Sequence, residues 1–129
     1  MKIEFGMLVL AIALGLVQLL LAVVFAIKER GMSWAFSPRD EALPPLKGVA
    51  GRLDRAYYNF LETFPLFAAA VLLVAVTDRQ GDMTVWGAQL YFWSRVVYLP
   101  VYMVGVPLLR TLVWSASMAG VVMILVPLA

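Results

Sequence analysis

Two residue types that carry much of metal and thiol chemistry are missing from this chain, which has no histidine and no cysteine. Their absence removes the usual zinc, haem and iron–sulfur ligand sets, cysteine nucleophiles and disulfides. Any thiol chemistry must use a thiol brought in by a bound small molecule. Charge is scarce too. Only 14% of the 129 residues are charged and the formal net charge is +2, against roughly 25% charged residues in a soluble domain. No Lys/Arg-rich run is present, which argues against nucleic acid as a partner.

What the chain has in plenty is apolar sequence. Hydrophobic residues make up 64% and the mean hydropathy is +0.92. So little polar surface cannot cover such a core in water, so lipid is the implied solvent, and the length allows one domain. Four apolar segments are expected as transmembrane helices: about 5–27, 53–77, 85–104 and 107–129. Runs of this length without period-2 alternation read as helices, whose backbone satisfies itself inside a bilayer. The first, Phe5–Ile27, spans roughly 34 Å at 1.5 Å per residue, enough for a hydrocarbon core of about 30 Å. It exceeds a signal-peptide h-region and no small-residue cleavage site follows, so it reads as a retained helix. The predicted fold is an all-α integral membrane bundle of four helices.

The connections divide the charges unequally. The stretch Lys28–Gly51 is rich in charge, glycine and proline, and Pro44-Pro45 disfavours a helix across it. Asp78–Asp82 reads as a polar turn, and Gly105-Val106-Pro107 as a short apolar one. Lys28, Arg30, Arg39 and Lys47 lie in the first loop with Arg52 and Arg55 at its edge, whereas the opposite side has only Lys2 and Arg79. The positive-inside rule places the first and third loops in the cytoplasm and both termini outside.

A few polar residues interrupt the apolar segments. Arg55, Asn59 and Glu62 recur at i, i+4 and i+7, and Arg95, Tyr98 and Tyr102 at i, i+3 and i+7, so each set shares a helix face. Arg110 opens the fourth segment. With helices alternating in direction, Arg55, Asn59, Tyr102 and Arg110 fall in one layer, with Glu62 and Arg95 deeper. An ionised group near the bilayer centre costs at least ~2.5–3.5 kcal/mol, so Glu62 is expected to pair with Arg55 or Arg95. The same residues serve equally as glue between helices or as the lining of a positive, tyrosine-rich pocket for an anion; spacing does not choose between them. Trp86, Trp93 and Trp114 read as interfacial aromatics, and Gln18 as an interhelical hydrogen-bonder.

The run Arg55-Ala56-x-x-Asn59-x-x-Glu62-x-Phe64-Pro65-Leu66-Phe67 resembles the MAPEG family, the membrane-associated proteins in eicosanoid and glutathione metabolism. Arg95-x-x-Tyr98-x-x-x-Tyr102 followed by Pro107-x-x-Arg110 is similar to the family's second half. The resemblance implies a homotrimer with glutathione bound between protomers near the cytosolic face. It implies that Arg55, Asn59, Glu62, Arg95 and Tyr98 bind glutathione. Arg110 would stabilise its thiolate, with Tyr102 as hydrogen-bond donor. Thr63 stands where eicosanoid-making members often have tyrosine, and Met103–Leu109 lacks their extra basic residues. A generic bacterial-type transferase or peroxidase of the inner membrane, acting on small lipophilic electrophiles, is the implied function. Two alternatives are a non-catalytic binding or structural member and a small four-helix exporter subunit. The exporter needs a carboxylate within the first helix for proton coupling, and Phe5–Ile27 has none.

Overall fold

The computed structural model describes residues 2–40 and 42–129, and among these every regular element is helical. Four long helices, α1 (Ile3–Arg30), α3 (Gly48–Val76), α4 (Asp82–Val104) and α5 (Pro107–Leu125), pack side by side. A single turn, α2 (Met32–Ala35), follows α1, and a 3₁₀ turn, Val126–Leu128, extends α5. Three of the long helices, Ile3–Arg30, Gly48–Val76 and Pro107–Leu128, are long and apolar enough to cross a membrane. At 28 residues α1 is about 42 Å long. The fourth, α4, has 23 residues but is diluted by Asp82, Gln89 and Arg95.

The helices run further into the first loop than hydropathy alone implies. Lys28, Glu29 and Arg30 are good helix formers, and the basic pair suits the negative end of the helix dipole, so α1 continues to Gly31. At the far side of the loop, α3 starts at Gly48, directly after the Pro44-Pro45 stretch, rather than at Leu53. The connection contracts to residues 31–47. Both α3 and α4 remain helical through Pro65 and Pro100, each of which deletes one backbone hydrogen bond, to the carbonyls of Leu61 and Val96.

Packing is tightest between α4 and α5. A Cβ on Gly87 would fall 2.7 Å from the Gly120 carbonyl oxygen, and one on Gly120 would fall 2.8 Å from the Tyr91 nitrogen. The two backbones therefore touch where neither has a side chain, the small-residue contact that suits helices in lipid. Beside this seam the core is built from Phe67, Val71 and Val74 of α3 with Ala88, Tyr91 and Ile124. Phe67 stacks on Tyr91 at 4.1 Å and 13°. Outward-facing positions are also apolar: Leu16, Leu20, Leu66 and Leu72 are all exposed. An apolar exterior around a small apolar core is the pattern of a protein solvated by lipid.

The helices alternate in direction, so the first loop and the α4–α5 turn share one end. Arg52 Nη1 at the start of α3 donates to the Met103 carbonyl at 2.6 Å, and its guanidinium borders Gly105, whose φ of 84° reverses the chain. Pro107 then starts α5, where a missing N–H costs nothing. At the opposite end Glu4 of α1 meets Thr84 of α4, and Arg79 reaches the Pro127 carbonyl.

Candidate functional site

At the first-loop end of the bundle an open cleft of about 470 Å³ lies where α3 begins, α4 ends and α5 begins. Arg55, Tyr58, Asn59 and Glu62 line it from α3, and Tyr98 and Tyr102 from α4. Arg110, Thr111 and Trp114 complete it from α5. The helical spacing explains the first two groups: each set falls on one stripe turned to the other. Gly105 and Pro107 explain the third, because the abrupt turn brings Arg110, one turn into α5, back against the end of α4.

Tyr102 stands at the centre. Its hydroxyl accepts a hydrogen bond from Arg55 Nε at 3.2 Å, and the Arg110 guanidinium carbon sits 5.0 Å from the ring centre. Tyr98 packs against Tyr102 at 5.6 Å between ring centres. Two arginines and one glutamate make the rim net positive. The Asn59 Oδ1 is buried with no hydrogen-bond partner. A buried acceptor left open in this way costs roughly 1–3 kcal/mol.

The expected Glu62–arginine pair does not form. Glu62 is exposed at the cleft's edge, and Arg55 lies seven residues away, about 10 Å along the axis and beyond the i, i+4 neighbours that can pair. Arg55 turns to Tyr102 instead. Arg95 lies outside the cleft lining: it is 2% exposed, and Nε, Nη1 and Nη2 all lack a hydrogen-bond partner. Its guanidinium rests against the Tyr98 ring at 4.2 Å and more loosely against Phe60 at 5.8 Å. Cation–π contact stands in for an ion pair here, and at up to ~2 kcal/mol it offsets only part of a buried cation's cost.

Three lining residues, Tyr58, Thr111 and Trp114, are not among the predicted site residues. Tyr58 sits three residues after Arg55 and four before Glu62, on the same stripe, so the spacing held the signal. Thr111 and Trp114 flank Arg110 on α5, and Trp114 faces the cleft although its type and place suggest a membrane-interface anchor. Thr63, beside the motif, is buried away from the cleft and shares a 2.9 Å hydrogen bond with the Tyr91 hydroxyl. Gln18 is buried at mid-length of α1. No group of histidine, cysteine, aspartate or glutamate suited to a metal occurs among the described residues.

No curated protein and no solved structure matches this chain. A family model does, over nearly its whole length. With the match running from residue 7 to residue 129, the chain belongs to the MAPEG family.

Proposed function

We propose that the protein is a glutathione-dependent transferase or peroxidase embedded in the membrane, acting on lipophilic electrophiles. The observation that carries this reading is the cleft around Tyr102, where Arg55, Arg110, Glu62 and the open Asn59 acceptor converge. Glutathione offers two carboxylates, an ammonium, amide donors and a thiol. The arginines suit the carboxylates, Glu62 the ammonium and Asn59 Oδ1 an amide N–H. Arg95, buried with no hydrogen-bond partner beside Tyr98, adds positive potential behind the cleft and keeps its donors for a ligand carboxylate that reaches past the Tyr98 ring.

Arg110 is then the thiolate-stabilising group. A free thiol has a pKa near ~8.5, and an adjacent guanidinium favours the anion, which is the nucleophile. The sulfur attacks the electrophilic carbon, a C–S bond forms and the leaving group departs with its electron pair. The Tyr102 hydroxyl, already held by Arg55, donates a hydrogen bond to the sulfur or the leaving atom. The lipophilic substrate would enter from the bilayer.

Glu62 is exposed in one protomer and the cleft is open on one side. A second copy closes it, and the trimer implied by family membership supplies that copy around a three-fold axis. The four long helices would all cross the bilayer, a bacterial inner membrane, with the basic first loop cytoplasmic and both termini outside. Reporter fusions at Ala129 and native mass spectrometry check orientation and assembly: a cytoplasmic C-terminus or a ligand-binding monomer would overturn them.

The deciding experiment is stopped-flow ultraviolet absorbance of the detergent-solubilised protein mixed with glutathione. A rapid thiolate signal, absent in Arg110→Ala, is expected. Glutathione binding with no thiolate signal in the parent protein makes this a binding protein and not an enzyme.

A further inference from the structure

A cavity larger than the cleft lies elsewhere. It measures about 730 Å³ and lies under the first loop, between the second half of α1 and the start of α3. One wall is apolar: Leu19, Val23 and Ile27 recur every four residues along α1, beside Ala22 and Ala26. Tyr57 and Tyr58 face them from α3, and Trp34, Ala35 and Phe36 roof the space. Beyond the roof, the second half of the loop is fastened to the end of α1 at two points. Arg30 Nη2 donates to the Pro44 carbonyl at 2.7 Å, and the Glu29 carboxylate accepts the Lys47 backbone N–H at 3.1 Å.

The charges gather at the loop end. Arg30 and Arg39 both rest on the Trp34 indole, 4.9 and 4.7 Å from its centre. Two guanidinium groups held by one ring are closer together than about one Debye length at 0.1 M salt, ~10 Å, so they repel with little screening. Among the described residues, each gives one hydrogen bond to a backbone carbonyl, to Pro44 and Ala35 respectively. A guanidinium has five N–H donors, so each keeps donors for an anion at this end of the cavity. Arg55 and Asp54 also border the cavity, on the α3 side, and the excess remains positive.

We propose that this cavity binds a single-chain amphiphile with an anionic head, the head at Arg30 and Arg39 and the chain along Leu19, Val23 and Ile27. The length supports that occupant. From Leu19 to Arg30 is about 16 Å along the helix, close to half of the ~30 Å hydrocarbon core. That is the depth one acyl chain covers from headgroup level to the midplane. The floor of small alanines leaves room for a chain, and a volume of 730 Å³ lies within the roughly 300–1,000 Å³ of small-molecule sites. The head is either a fatty-acid carboxylate or a lysophospholipid phosphate. This site is separate from the glutathione reading, although Arg55 and Tyr58 border both spaces; the variants below avoid those two residues.

The test is photolabelling of the intact protein in neutral detergent with three diazirine probes of equal chain length: a fatty acid, a lysophosphatidate and an uncharged fatty alcohol. Labelled positions are mapped by mass spectrometry. The acid, the phosphate or both should label residues 19–36, and which of them does identifies the head. The alcohol should label this segment about tenfold less, the cost of forfeiting a charge-assisted hydrogen bond. Arg39→Gln should lower anionic labelling there by a similar factor, with glutathione binding unchanged. Arg39 is exposed and on the loop, so the variant keeps the fold. Labelling spread evenly over the outer faces of all helices overturns the proposal, as does equal labelling by the alcohol. Cross-linking of residues 19–36 to a second copy, with every probe excluded, makes the cavity a subunit interface and overturns it too.

Discussion

The two ends of the bundle treat buried polar groups in opposite ways. At the end away from the first loop, Glu4 is 1% exposed, yet its carboxylate accepts the Thr84 hydroxyl at 2.6 Å. Thr84 also takes the Gly81 N–H at 2.9 Å, which caps α4, while Arg79 is spent on the Pro127 carbonyl at 3.1 Å. Among the described residues there, only Gln80 Nε2 stays buried without a partner. At the first-loop end, Asn59 Oδ1 and all three Arg95 nitrogens have none. Unpaired buried polar groups cost free energy, and a chain that can satisfy one end has no intrinsic need to leave the other unsatisfied. On the proposed function, the difference separates an end built to hold the helices together from one held open for a ligand.

Arg95→Leu puts that difference under the greatest strain. If the guanidinium awaits a ligand, replacing it with an apolar side chain removes an uncompensated buried charge, and the ligand-free protein should melt no lower than the parent. Glutathione affinity should fall by more than about a hundredfold, on the ~3–5 kcal/mol attached to one partner of a buried charge pair. Isothermal titration and thermal melts in detergent read both quantities. A ligand-free mutant that fails to fold, with Arg95→Lys restoring it, makes Arg95 a structural residue and erases the contrast between the ends.

Arg110→Ala comes next in size. Arg110 is half-buried at the mouth of the cleft, so water can fill the space and the fold should survive. Thiolate formation at neutral pH should drop to the few per cent of a free thiol. The sign in pH follows from the direction of the shift. If Arg110 lowers the bound thiol's pKa, parent and mutant should differ most below ~8.5 and converge as the pH rises past it, where the thiol ionises unaided. Curves that already coincide at neutral pH remove Arg110 from the chemistry.

Thr84→Val probes the other end. It takes away the donor to Glu4 and the acceptor for Gly81 N–H, a destabilisation of roughly 1–3 kcal/mol for a stranded buried partner. Glutathione affinity and thiolate formation should stay at parent values. A loss of binding without a loss of stability would show that the two ends are coupled.

How much of this was legible before the structure depended on how local the signal was. The helical architecture followed from the length of the apolar runs, and the cleft's α3 and α4 stripes followed from i, i+3, i+4 and i+7 spacing, because a helix converts spacing directly into direction. The Glu62–arginine pair was inferred from energetic cost alone. It failed because the side chains had cheaper local options, Arg55 on the Tyr102 hydroxyl and Arg95 against the Tyr98 ring. The Glu4–Thr84 contact joins residues 80 apart, and nothing near Glu4 distinguishes it from an ordinary acid in the first turn of a helix. The roofed cavity was equally hidden: Arg30 and Arg39 read as loop residues setting topology until the loop folded back over α1.

Tyr102→Phe is the smallest change and the finest test of the open end. Tyr102 holds two relationships at once, a hydrogen bond from Arg55 through its hydroxyl and contact with Arg110 and Tyr98 through its ring. Phenylalanine keeps the ring and removes the oxygen, so the packing that positions Arg110 should persist. One hydrogen bond is worth about 0.5–1.5 kcal/mol, so turnover with an electrophile should fall by roughly 2- to 12-fold. The thiolate signal should fall less than in Arg110→Ala, because the guanidinium remains in place to stabilise the anion. Freed from Tyr102, Arg55 has only water or the ligand to bind, so glutathione affinity should hold or improve slightly. That gives a signature no general loosening would produce: slower turnover with affinity intact. If Tyr102→Phe weakens glutathione binding as much as Arg95→Leu does, the hydroxyl is part of the binding surface, and Arg110 is left as the cleft's one group acting on the sulfur.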